Sequence, residues 1–205
     1  MTRQSPKLAR SEKHVRRKAT IREEAAKIFA SRGYRGATMQ DIANACEIHK
    51  ASVYHYYRSK EEILFDIMTY ADEEITRLMA LEEGKDVSDL EKLGLMVSSH
   101  VAWYLRHPEI ARVAFQDWVA LSGGELEIQK SRRHRYGRFV RDKVEQCRAQ
   151  SMIPSTVNAA VVSNFINGAV AAANTWFNPA GPAPADAIAE EFGKIAIAIV
   201  CRDDT

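Results

Sequence analysis

Apolar residues recur along this chain at helical spacing, segment after segment, and no stretch shows the period-two alternation that a half-buried strand requires. Ile21, Ala25, Ile28 and Phe29 stand at i, i+4, i+7 and i+8, one face of a helix. Thr20 and Glu23 have capping-box spacing for its start, with a start nearer Ser11 as the alternative, and Gly33 and Gly36 end it. Thr38 can cap a short second helix with Met39, Ile42 and Ala43 turned inward. After a break at 46–49, a third short helix is expected over 50–57, with Val53 and Tyr57 inward. Ser59 and Glu62 form a second capping box, and Ile63, Ile67, Tyr70, Ala71 and Leu78 carry a long helix to about residue 82, before Gly84. Further helices are expected over 87–105, 109–121, 125–150, 155–177 and 185–201, punctuated by Pro108, Gly123, Gly124, Pro154 and the loop 178–184. The expected fold is all-α, a three-helix head on a six-helix body.

The chain has 205 residues, 46% of them hydrophobic, enough for a real core. No run of about 18 uncharged apolar residues is present, and the N-terminus lacks an apolar signal core, so neither a membrane partner nor secretion is expected. Three widely spaced cysteines, Cys46, Cys147 and Cys201, argue against structural disulfides or a thiolate metal site and fit a reducing cytoplasm. Motifs of hydrolases, nucleotide-binding loops and zinc proteases are missing, and His100 and His107, at i, i+7, make a poor metal pair. An enzyme is not expected, nor a cofactor, a metal site or catalytic residues.

The net charge of +2 conceals an asymmetry. Residues 1–58 hold 13 Lys and Arg against 5 Asp and Glu, whereas residues 59–205 hold 16 against 22. A basic head on an acidic body points to a polyanion partner for the head alone. Three short helices with a tight turn between the second and third form a helix-turn-helix, in which one helix fits a major groove about 12 Å wide and another holds its angle. Lys50, Ser52, His55 and Tyr54 are the third-helix residues offered to a groove. The expected organisation is a flexible basic arm over 1–10, a DNA-binding domain over 11–58 with its helix-turn-helix at 38–57, and a ligand-binding and dimerisation domain over 59–205. Arg3, Lys7, Arg10, Arg16 and Arg17 are expected to be mostly solvated charge, able to add salt-sensitive affinity for phosphates.

The stretch IREEAAKIFASRGYRGATMQDIANACEIHKASVYHYYRSKEEIL, residues 21–64, resembles the N-terminal signature of the TetR family of transcriptional regulators. The matching points are Ala25, Phe29, Gly33, Tyr34, Thr38, Ile42, Ala43, Ile48, Lys50, Tyr54, Tyr57 and Ser59-Lys60-Glu61. The family usually has Gly where Glu47 stands, often Ser or Thr at His49, and commonly Gly at Ala51, so Glu47 is expected to sit under strain in the turn. The resemblance implies that Thr38 and Gln40 approach the DNA backbone, that Lys50, Ala51 and Ser52 meet base edges or phosphates, that Tyr54, Tyr56 and Lys60 hold phosphates, and that His55 lies near bases. It implies a regulator, most simply a repressor released from a palindromic double-stranded operator by a small-molecule effector, acting at the nucleoid in the cytoplasm. The alternative is an architectural DNA-binding protein without an effector.

Specific sites need two half-sites, so the body is expected to form a homodimer. Segment 155–177 is nearly uncharged, and Val162, Phe165, Ile166, Ala169, Val170 and Ala173 make its broad apolar face. Phe192, Ile195 and Ile199 supply the second helix of a four-helix interface. Between the middle helices, His100, Trp103, Tyr104, Arg112, Phe115, Trp118, Arg135 and Tyr136, with Trp176, mix aromatic and polar groups as a ligand pocket does. The strings RHPEIARVAF, RRHRYGRFV and TWFNPAGPAP are similar to those of relatives that respond to acyl-CoA thioesters, which implies an amphipathic, phosphate-bearing effector met by Arg112, Arg135 and Trp176.

Overall fold

The computed structural model describes residues 6–201, with the side chains of 6–11 and of Tyr136 excepted. Among these described residues nine α-helices run in order: α1 Pro6–Arg32, α2 Met39–Ala45, α3 Lys50–Tyr54, α4 Lys60–Glu83, α5 Asp89–Arg106, α6 Pro108–Gln116, α7 Gly123–Ala149, α8 Ala159–Trp176 and α9 Ala185–Val200, with a 3-10 turn at Asp117–Ala120. Among the described residues there is no strand, and no helix is long and apolar enough to cross a membrane.

Helix α1 starts earlier than either expected cap. It begins at Pro6, inside the segment expected to be an arm, and runs straight through Thr20, whose Oγ1 donates to the Arg16 carbonyl instead of capping. Residues 1–5 of the expected arm, Arg3 included, lie outside the described residues. Gly33 ends α1 at φ +75°, a left-handed geometry that costs glycine little. Helix α3 is shorter than expected, closing at Tyr54, and Tyr57 follows in the turn with its ring buried.

The head is held by α1 packing on α2 and on the N-terminal part of α4. Ile21, Ala25 and Phe29 pack with Ile42, Ala43, Val53 and Tyr57 in one buried cluster that continues into Ile63, Leu64, Ile67 and Met68 of α4. The Tyr57 hydroxyl donates to Asp66 Oδ2 at 2.7 Å and lies 3.1 Å from the Lys18 carbonyl, so the turn after α3 is tied to α1 and α4 together. Arg22 reinforces that joint, lying 3.9 Å over the Tyr70 ring and 3.5 Å from Asp66. Head and α4 therefore share one core.

In the body, α5 and α9 cross at two glycines. A methyl group on Gly193 would stand 2.6 Å from the Gly94 carbonyl oxygen, so only hydrogen fits at this contact. A second core of Leu93, Val97, Val101, Val140, Val144, Ile166, Val170, Ala189, Ala196 and Val200 joins α5, α7, α8 and α9. Where α4, α5 and α7 meet, buried Lys143 donates to Glu83 at 3.0 Å and to Asp89 at 2.8 Å, the paired arrangement a buried charge requires.

Candidate nucleic-acid interface and body cavity

Local sequence builds the head's outer face. Thr38 caps α2 through a full capping box: its Oγ1 accepts from the Asp41 N–H at 3.1 Å, and the Asp41 carboxylate accepts from the Thr38 N–H at 2.9 Å. The Thr38 hydroxyl also lies 2.7 Å from Asp41 Oδ2, and its bond to that carboxylate, followed by the one from the Thr38 N–H, holds the Asp41 carboxyl below its ordinary range. Met39, Ile42 and Ala43 point inward, leaving Gln40 exposed and bonded to Asn44 Oδ1 at 2.8 Å. The turn places Glu47 at φ +53°, the left-handed region expected for it, where a Cβ is strained. His49 precedes α3 without a side-chain cap. Val53 anchors α3, so Lys50, Ala51, Tyr54 and His55 are exposed on its opposite side and Ser52 is half-buried. Tyr56 is also half-buried, 4.8 Å from the His14 ring of α1.

Lys60, at the start of α4, reaches back to the loop that precedes α2. Its ammonium donates to the carbonyls of Tyr34 and Ala37 at 2.7 Å each and lies 4.4 Å over the Tyr34 ring. Two of its three donors are thus committed to the loop between α1 and α2, leaving one for any phosphate.

In the body a half-open cavity of about 650 Å³ lies between α4, α5, α6, α7 and α8. Met68, Ala71, Ile75 and Met79 of α4 supply its apolar side, with His100 and Tyr104 of α5 beside them. Phe115 of α6 and Trp118 of the 3-10 turn line it as well, and Arg132, Arg133, Arg135, Arg138 and Arg141 line the wall made by α7. Burial drives His100 down to about 3 and pushes Tyr104 up to about 12, so a neutral imidazole and a neutral phenol face the space at pH 7. Arg132 and Arg135 reach across to α4. Arg132 donates to Thr69 Oγ1 at 2.7 Å and lies 3.6 Å from Asp72, while Arg135 approaches Asp72 to 3.3 Å. A further tie runs from the loop before α7, where the Ser122 N–H and hydroxyl both donate to Glu61 Oε1 at 2.7 Å, in the first turn of α4.

Of the residues expected to meet a ligand, His100, Tyr104, Phe115, Trp118 and Arg135 line this cavity. Trp103 does not: it is buried 4.7 Å from His107 and 6.2 Å from Tyr70, as core. Arg112 is exposed and bonded along its own helix to Gln116. Trp176 is an exposed ring stacked 6.1 Å from Phe192. The side chain of Tyr136 lies outside the described residues. Sequence reasoning missed Arg132, Arg133, Arg138 and Arg141; the i, i+8 spacing of Arg133 and Arg141, on one stripe of α7 with Gly137 between them, could have pointed to those two, and no comparable signal marks Arg132 and Arg138.

The expected interface face of α8 divides in two. Ile166, Val170 and Ala173 are buried within the subunit, because α8 needs that stripe to pack on α5 and α7. Val162 and Ala169 are half-buried, and Phe165 is 60% exposed. With Val161, Trp176 and Ile195 it leaves an apolar surface on α8 and α9, flanked by half-buried Phe192 and Ile199.

Comparison with known proteins agrees with this architecture. The family model described as bacterial regulatory proteins, tetR family, matches residues 21–67, and that described as tetracyclin repressor-like, C-terminal domain, matches residues 86–200. The transcriptional repressor KstR2 of Mycolicibacterium smegmatis is 25% identical over 185 residues, covering 88% of this chain and 89% of its own. The structure of the ketosteroid transcriptional regulator KstR2 of Mycobacterium tuberculosis superimposes with a TM-score of 0.84 at 22% identity, covering 91% of this chain and 96% of that one. AibR, solved in complex with isovaleryl coenzyme A and operator DNA, gives a TM-score of 0.77 at 24% identity, covering 90% and 98%. The chain belongs to the TetR family of bacterial regulatory proteins, a DNA-binding transcriptional regulator with a helix-turn-helix head on an all-helical body.

Proposed function

We propose that this chain is a homodimeric repressor that leaves a palindromic operator when a small amphipathic anion, an acyl-CoA or a molecule like it, enters the body cavity. The observation that carries the reading is the cavity's polarity: apolar side chains of α4 on one side, five arginines of α7 on the other. Its volume of about 650 Å³ falls within the roughly 300–1,000 Å³ of small-molecule sites. A relative of the same fold was solved holding isovaleryl coenzyme A and operator DNA, which supports the ligand class.

In the head, Lys50, Ala51, Ser52 and His55 read the groove, while Thr38, Gln40, Tyr54 and Tyr56 hold its walls. Lys60 contributes chiefly by setting the loop before α2. The uncovered apolar surface of Val161, Phe165, Trp176 and Ile195, with Val162, Ala169, Phe192 and Ile199 around it, pairs with its symmetry mate. The protein works in the cytoplasm, at the nucleoid.

Release follows from competition for the arginines. Asp72 of α4 is held by Arg132 and Arg135. An anion that takes these guanidiniums loosens α4 from α7, and α4 shares its core with the head. The two heads then lose the spacing an operator demands. The test selects bound sequences from random duplexes and titrates decanoyl-CoA into the resulting complex. Operator affinity should fall about 5- to 150-fold at saturation. Full operator occupancy with saturating CoA thioesters and other amphipathic anions would contradict the reading.

A further inference from the structure

Resting on that reading of the cavity, we propose that its inner wall carries a second anchor, in which Arg133 and Tyr104 receive a carboxylate borne on the apolar portion of the effector. Arg133 is half-buried, its guanidinium carbon 4.9 Å from the Trp118 ring centroid and 5.6 Å from that of Phe115. Its neighbours on α7, Arg132 and Arg135, are answered by Asp72. Among the described residues no carboxylate answers Arg133. Aromatic faces offset part of the cost of burying this charge, yet they leave the N–H edge of the guanidinium for an in-plane acceptor, the geometry a carboxylate meets with two parallel bonds.

Tyr104 supplies a second donor from a different helix. Its ring stands edge-on to His100 at 4.3 Å in the cavity wall, and the guanidinium of Arg133 is near enough for its charge to act on the phenol. The phenol stays protonated at neutral pH and so can donate. One anionic group cannot serve the whole arginine wall. Arg133 is two residues, about 200° round the helix, from Arg135, and eight residues, about 12 Å along the axis, from Arg141, so phosphates that draw Arg135 from Asp72 and meet Arg138 and Arg141 leave Arg133 unanswered. The effector this arrangement fits has two separated anionic groups joined by an apolar span, such as a CoA thioester of a dicarboxylic acid.

Calorimetric titration with decanoyl-CoA, the mono-CoA thioester of decanedioic acid, and free decanedioate tests this. The wild-type protein should bind the carboxylated thioester roughly tenfold or more tightly than decanoyl-CoA. Arg133→Gln and Tyr104→Phe should each shrink that preference to below about threefold, and Arg133→Lys should retain part of it. The ratio between two ligands on one variant is unaffected by a loss of folded protein. Equal affinity for the two thioesters, or a preference that survives Arg133→Gln, overturns the inner anchor while leaving the acyl-CoA reading in place. Binding of decanedioate alone, dependent on Arg133, supports the anchor and removes the CoA reading. Binding of no probe removes both.

Discussion

Asp72 of α4 and Arg135 of α7 approach to 3.3 Å across the wall of the body cavity, and Arg132 joins them at 3.6 Å. Burial raises the Asp72 carboxyl while the two guanidiniums pull it down, so the contact is a partly desolvated ion pair between the wall of the cavity and the helix that carries the head. Asp72→Asn should raise the affinity for an anionic effector about 3- to 10-fold and weaken ligand-free operator binding by a comparable factor, a modest effect because Arg135 is half-exposed. Calorimetry and fluorescence anisotropy measure the two arms. A gain in anion affinity with unchanged operator binding would remove Asp72 from the coupling.

Glu47 occupies a left-handed backbone position that glycine adopts freely. Glu47→Gly should stabilise the protein by about 0.5–1 kcal/mol, since relief of Cβ strain outweighs the added freedom of the unfolded chain. Denaturant unfolding checks this, and a loss of stability would mean that the Glu47 side chain makes up for its own strain.

His100 gives a pH dependence whose sign is fixed. Its folded value is driven down to about 3 from an ordinary 6.5 by burial, so below about pH 6.5 the unfolded chain takes up a proton that the folded chain refuses. Stability is fully present above 6.5 and falls on acidification, by at most about 1.4 kcal/mol per pH unit for this group. His100→Phe should remove that component, so the stability difference between wild type and variant should narrow or reverse between about pH 7 and pH 5. Parallel curves would show that His100 charges without difficulty in the folded state.

Lys50 and Lys60 should separate by phenotype although the family resemblance places both near the DNA. Lys50 is exposed on α3, and Lys50→Ala should reduce the salt slope of operator binding by about one without moving the melting temperature. Lys60→Ala strands two carbonyls and should cost about 1–2 kcal/mol of stability as well as affinity. Equal melting temperatures for the two variants would return Lys60 to a purely phosphate-binding role.

The head was legible because its information is local. Caps, inward residues and the Glu47 anomaly lie within a few residues of the positions they govern, and Thr38, Val53 and Tyr57 take the places their spacing implies. The body was legible as helices but not as contacts. Nothing near Gly94 announces that it meets Gly193, and nothing near Arg132 announces Asp72, because those pairs form only when distant segments pack. Aromatic spacing on α5 and α8 could not say which ring lines a cavity, which sits in core and which is uncovered; Tyr104, Trp103 and Trp176 took one of each. The sequence of α8 reads as one broad apolar face because its residues are apolar nearly all round, and only packing divides Val170 from Phe165.

Two copies of the head, held at a fixed spacing by the paired bodies, should grip a duplex through charges and base edges. The direct measurement is anisotropy of a labelled palindromic duplex, recovered by selection, against protein concentration at several salt concentrations. The protein should bind as a dimer with affinity falling steeply as salt rises, and should dissociate to monomers with loss of binding when Phe165→Glu charges the α8 surface. A protein that binds no duplex in a salt-dependent way, or binds equally well as the Phe165→Glu monomer, would contradict this two-headed grip.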